Sequence, residues 1–225
     1  HLQELSREYG ASFLYETNVG AGLPIIDTLK NLIASGDRIH KIQAVLSGSL
    51  NFVFNTYDGT APFYKTVEQA MEEGYTEPDP KIDLSGVDVA RKILILARES
   101  GLKMELSDIE NESFLSEESL NTENNEDFFS LLQEDESKFK AIYEDAAKDG
   151  AQLKYVAQLE DGKASVGLQK VDAAHPFYNL SGSDNIVLFF TDRYSVQPLI
   201  VKGAGAGADV TASGIFADVI RIGKK

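Results

Sequence analysis

The apolar residues of this chain change their spacing along its length, and that change limits the architectures open to it. Helical intervals run over Leu50 to Tyr57, Val67 to Glu73, Ser85 to Ser100 and Glu126 to Lys148, the last with Phe128, Leu131, Leu132, Phe139 and Ile142 as its stripe. From Leu153 the interval shortens. Leu153 to Leu159 and Ala164 to Lys170 alternate or run apolar around Asp161-Gly162, a hairpin signal. Asn185 to Thr191 and Leu199 to Lys202 add two strands, and a last helix runs from about Asp209 to Ile222. At the front, Ala11 to Glu16 reads as a short strand. A helix follows from Pro24 to about Ala34 with Gly36 just past its end, then a second strand from Ile39 to Leu46. Strand, helix, strand is the grammar of a parallel α/β unit. The expected fold is α/β (α+β), a mixed sheet backed by helices. Asn111 to Asn125 is polar and acidic and reads as a surface loop.

Composition removes several classes of function. The net charge is −15, and nothing here would release counterions from nucleic-acid phosphate. Ser107 to Gly150 holds 14 Asp and Glu against three Lys, a solvated face rather than a binding site. No apolar run approaches the ~18 residues of a membrane span. With no cysteine, disulfides, thiolate metal sites and cysteine nucleophiles are excluded, which fits a cytoplasmic protein. The three histidines, His1, His40 and His175, are too scattered to suggest a zinc site or a Ser-His-Asp triad. The chain opens on His1 rather than Met and reads as a fragment or a processed product.

The densest chemistry lies in Gly74 to Lys92, GYTEPDPKIDLSGVDVARK. Pro78 and Pro80 stiffen a loop and bar helix there. Ser85 is a natural N-cap, and Asp88 three residues on completes a capping box. Asp88 and Lys92, four apart, share a helix face. The bland reading is a cap, an exposed ion pair of about a few tenths of a kcal/mol, and loop charges at Glu77, Asp79 and Asp83. One feature pulls the other way. Ile93 to Ala97 is apolar on every side, so the helix is buried all round. Lys92 is then the last polar residue before the core, held in place beside Asp88, as general acid chemistry requires. Carboxylates on the rigid loop would face the same cavity and hold a cationic group of a substrate.

That segment is very similar to the substrate-site signature of homoserine dehydrogenases. YETNVGAGLPIIDTL at Tyr15 to Leu29, VLSGSLNFVFN at Val45 to Asn55 and KGAGAGADVTASGIFADVIR at Lys202 to Arg221 resemble the same family in the same order. The similarity spans essentially the whole chain. YETNVGAGLP and the acidic insertion look most like the dehydrogenase half of bifunctional aspartokinase–homoserine dehydrogenases. The resemblance implies that Lys92 donates the proton to the aldehyde oxygen and Asp88 holds it. It also implies that Glu77 binds the substrate's amino group, with Asp83 lining the same pocket. The implied reaction interconverts homoserine and aspartate 4-semialdehyde with NADP or NAD, in threonine, methionine and isoleucine biosynthesis. A lysine suits it, because hydride addition leaves charge on oxygen that a cation stabilises.

The other segments carry weaker signals. Glu16 to Leu23 is a glycine-rich turn, by itself a tight strand-to-helix connection or a weak phosphate loop. The resemblance implies a monovalent cation, sodium, on Glu16 and the backbone carbonyls of Val19, Ala21 and Leu23, oxygen ligands that suit a hard ion. Ser47 to Leu50 is by itself a serine-capped helix start. By the resemblance, Gly48 and Ser49 lie at the substrate, where free N–H groups suit a carboxylate. Gly203, Gly205 and Gly207 precede the last helix without a complete dinucleotide fingerprint, and the resemblance places them near the cofactor. It divides the chain into residues 1–16, the end of a nucleotide-binding domain; 17–200, for substrate, catalysis and dimerisation; and 201–225, returning to that incomplete domain. Most of the Rossmann domain and a second pocket lysine are expected before His1, so the fragment alone is expected to be inactive. A homodimer or higher oligomer is implied. Two rival readings are a non-catalytic dimerisation or regulatory module and another enzyme on the same fold plan that acts on a different semialdehyde.

Overall fold

One six-stranded sheet carries helices on one face. The computed structural model describes residues 1–224. The helices are α1 (Leu2–Tyr9), α2 (Ile25–Ala34), α3 (Gly48–Thr56), α4 (Phe63–Glu72), α5 (Pro80–Leu84), α6 (Val87–Glu99), α7 (Glu117–Leu120), α8 (Asn125–Glu134), α9 (Glu136–Lys148) and α10 (Ala208–Gly223). The strands are β1 (Ile39–Val45), β2 (Glu110–Glu112), β3 (Gln152–Glu160), β4 (Lys163–Val171), β5 (Asp184–Thr191) and β6 (Leu199–Ala204). Their order is β2-β4-β3-β1-β5-β6, and only the β2–β4 pairing is parallel among the described residues.

The alternation expected from Leu153 onward holds. Leu153, Tyr155, Ala157 and Leu159 of β3 face the helices, with Ile42 and Ala44 of β1 and Val187 and Phe189 of β5 beside them. The opposite face gathers Val45, Val156, Ile186 and Leu188 under Phe177 and Leu180. At the β3–β4 turn, Asp161 (φ 50°) and Gly162 (φ 75°) both take left-handed conformations, which a two-residue hairpin with native twist requires.

Five expectations are corrected. The opening is not a parallel unit. Residues 11–15 join no ladder, and β1 enters the centre of the sheet antiparallel to both neighbours. Instead of extending a strand, Tyr15 gives its hydroxyl to Glu99 (2.6 Å), and a single 3-10 turn follows over Glu16–Asn18. Second, Pro80 starts a helix rather than barring one. It sits at N1 of α5, where its missing N–H loses no bond, and Asp79 caps the turn through the Lys81 amide (3.1 Å). Third, Ser85 ends α5 and does not cap α6. Gly86 occupies the N-cap position at φ 73°, and a Cβ there would collide with the Tyr155 hydroxyl. Fourth, the Glu126 to Lys148 pattern breaks at Asp135, because the Glu136 carboxylate turns inward to the Phe63 amide (2.7 Å) and the Tyr57 hydroxyl (3.2 Å). Fifth, the stretch from Asn111 to Asn125 expected to be loop takes in the last two residues of β2 and all of α7. No helix among the described residues is long and apolar enough to cross a membrane.

Candidate functional site

Three connections meet beside the end of β1. The chain turns from β1 into α3 through Leu46 and Ser47, α5 leads through Gly86 into α6, and β6 leads through Gly205 to Gly207 into α10. They enclose a cleft of about 380 Å³ that brings together Gly48, Ser49, Asp83, Asp88, Lys92, Gly205 and Gly207. Residues distant in sequence thus share one cavity because β1 and β5, whose ends border it, are paired neighbours.

Lys92 is fixed. Its side chain is 20% exposed, and its ammonium donates to the Leu46 carbonyl (2.8 Å) and pairs with Asp88 (2.7 Å). Two of its three hydrogens are thereby used, leaving one for the cleft. Ile93, Leu94, Leu96 and Ala97 beyond it are buried, but Ile95 is only half-buried on the wall of a second cavity, so the helix is not buried all round as its apolar run implied. Asp83 accepts the Ser49 hydroxyl (3.0 Å) on one oxygen and the Glu77 amide (2.8 Å) on the other, tying the loop to α3. Ser47 caps α3 through the Leu50 amide, and the Gly48 and Ser49 amides donate to no group among the described residues. Free amides at a helix start attract a carboxylate.

Glu77 and Gly203 stand apart. The Glu77 side chain is exposed and does not line the cleft; its backbone is what reaches the site. Gly203 is a ladder residue of β6 opposite Asn185, two positions short of the cleft. Gly205 is required by contact, since a Cβ there would overlap the Asn185 amide. Sequence reasoning missed Leu46, whose carbonyl leaves no trace in residue type, and Tyr75, Ser183 and Asn185. Tyr75 lines the cleft and stacks on Phe52 at 3.9 Å, a pairing of distant residues.

Glu16, Val19, Ala21 and Leu23 form a separate loop under α10. Both Glu16 oxygens accept backbone amides at the start of α2, from Ile26 (2.7 Å) and Asp27 (2.8 Å). Burial nevertheless pushes its carboxyl up to about 7. The Leu23 carbonyl accepts the Ile25 amide, whereas the carbonyls of the buried Val19 and Ala21 accept nothing among the described residues. Orphaned carbonyls beside a buried carboxylate fit a hard monovalent cation. A larger cavity, about 910 Å³, lies between α1 and α6, but Gln3 and Glu99 there are spent on the Tyr15 hydroxyl and it holds none of the expected catalytic groups.

The homoserine dehydrogenase family profile matches residues 24–220. The bifunctional aspartokinase/homoserine dehydrogenase 2 of Zea mays is 46% identical over 98% of this chain, which spans 24% of that protein. A homoserine dehydrogenase of Schizosaccharomyces pombe is 46% identical over 99% of the chain, which spans 61% of it. A hyperthermophilic archaeal homoserine dehydrogenase solved with NADPH superposes with a TM-score of 0.73 at 28% identity, over 98% of this chain and 58% of that one. With the fold, the sequence match and the relatives in agreement, the chain belongs to the homoserine dehydrogenase family.

Proposed function

We propose that the cleft binds homoserine or aspartate 4-semialdehyde, and that the protein carrying this chain interconverts them with NADP or NAD. The observation that carries this is Lys92, pinned between Leu46 and Asp88 with one N–H left for an oxygen in the cleft. In the reductive direction Lys92 gives a proton to the aldehyde oxygen as it gains charge, and in the oxidative direction it takes the hydroxyl proton. Asp88 orients the ammonium. The Gly48 and Ser49 amides hold the substrate carboxylate, and Asp83 and Glu77 face its ammonium, Glu77 by swinging in from solvent. The bound dinucleotide supplies or removes the hydride. Gly205 and Gly207, which line the cleft, would hold it there, with Gly203 keeping β6 in register opposite Asn185. A half-buried lysine pinned at both sides is not what a purely dimerising module needs.

Glu16, Val19, Ala21 and Leu23 would hold a sodium ion, which neutralises the buried carboxylate and pins the loop beneath α10. Residues 1–16 and 201–225 belong to a nucleotide-binding domain. In support, α10 leaves Ile215, Phe216, Val219, Ile220 and Ile222 exposed. The sheet face bearing Phe190 and Ile200, only partly covered, is where a second copy docks in a homodimer. Freedom from cysteine suits a reducing compartment such as the cytoplasm.

The test is homoserine-dependent reduction of NADP and NAD by the full-length protein, followed by nicotinamide absorbance, beside Lys92→Ala. Activity in the parent with a loss of about a hundredfold or more in the variant is expected. Inactivity of the intact parent overturns the reading. Activity that survives the substitution moves the proton donor elsewhere.

A further inference from the structure

Lys154, on β3, is 1% exposed and has no carboxylate partner among the described residues. Burial, helped by nearby Lys202, pushes its ammonium down to about 8. Burying an unpaired ammonium is costly. A side chain held at that cost is making bonds an apolar residue cannot make, and here they converge on one loop. Lys154 donates to the Leu180 carbonyl (2.7 Å) and to the Asn55 side-chain oxygen. Asn55 donates back to the same carbonyl (3.1 Å), and Asn51, one turn earlier on α3, donates to the Gly182 carbonyl (2.8 Å). Three side chains thus grip two carbonyls of the loop leading into β5.

The next residue is Ser183, which lines the cleft. It packs so closely on Gly48 that a Cβ there would lie 3.1 Å from the Ser183 Cβ and 3.3 Å from its carbonyl oxygen. The other serine hydroxyls of the cleft are engaged: Ser47 and Ser49 bond each other (3.0 Å), and Ser49 also bonds Asp83. The Ser183 hydroxyl bonds nothing among the described residues. We infer that Lys154, with Asn55, is a positioning residue for this cleft: it fixes the Leu180–Gly182 carbonyls so that the Ser183 hydroxyl meets the bound substrate. The inference rests on the reading of the cleft as the homoserine site.

The test compares Lys154→Met, Ser183→Ala and the double variant in the full-length protein. Each single change raises the homoserine KM about tenfold with kcat within about threefold, and the double variant stays within about twofold of the singles, because both act through one contact. An unchanged KM, or a roughly hundredfold rise in the double variant, overturns the inference. If Lys154→Met does not fold, Asn55→Ala takes its place in the same cycle. Amide exchange by mass spectrometry separates the two readings. It should quicken about tenfold over residues 181–185 in Lys154→Met even in a protein without homoserine activity, and unchanged exchange there would mean that no clamp exists.

Discussion

Single side chains decide what the cleft can do, and two of them give measurable consequences. Asp83 links Ser49 to the Glu77 amide, so Asp83→Ala releases the loop from α3. The homoserine KM is expected to rise about tenfold or more, the effect of losing a charge-assisted contact, while cofactor KM stays within about twofold. Lys154 governs an alkaline response. Its folded value, about 8, lies below the 10.5 of an unfolded lysine, so between those values the unfolded chain binds more protons. Stability contributed at this position therefore rises with pH from 8 to 10.5, by at most about 1.4 kcal/mol per pH unit, and is constant below 8. Urea midpoints at pH 8 and 10 should rise in the parent relative to Lys154→Met; parallel lines would show that the lysine is not buried in solution. At this scale the sequence was legible where residue type carries the chemistry. Lys92, Asp88, Asp83 and Ser49, singled out by residue type and resemblance, line one cleft. Leu46 was not, because any residue supplies a carbonyl, and Ser183 was not, because only the pairing of β1 with β5 brings it to Gly48.

At the scale of elements, joints were harder to read than bodies. Apolar periodicity located α2, α3, α6 and α10 and the strands β1 and β3 to β6 to within a few residues. It failed at Ser85 and Asp135, where tertiary bonds outweigh local preference. Local chemistry favoured Ser85 as a cap, but the turn from α5 into α6 must pass the Tyr155 hydroxyl, which itself bonds Asn111 (2.9 Å). Only glycine fits there. Gly86→Ala meets both a left-handed φ of 73° and that collision, so it should destabilise by more than about 1 kcal/mol, visible as a lower Tm. An unchanged Tm would show that α5 and α6 can reorient freely.

For the whole molecule, surface is the informative quantity. The chain spans 24% of the Zea mays relative and 61% of the Schizosaccharomyces pombe one, and α10 carries Phe216 at 65% and Val219 at 56% exposure. A helix this open on an apolar face is built to be covered. The 225-residue chain alone should bind an environment-sensitive apolar dye, and Phe216→Ser with Val219→Ser should cut that signal by about half or more. An unaltered signal would assign the dye to another surface. The strand order has a consequence in time. β1, synthesised before the other five strands of this sheet, lies in its middle, and its partners β3 and β5 come from the far half of the chain. At the usual pace of ~5–20 residues per second, Ile42, Ala44 and Val45 wait on the order of ten seconds for a neighbour. During synthesis, therefore, the nascent chain's main hazard is this unpaired strand, and the natural helper for its biogenesis is a chaperone that shields the segment until β3 emerges.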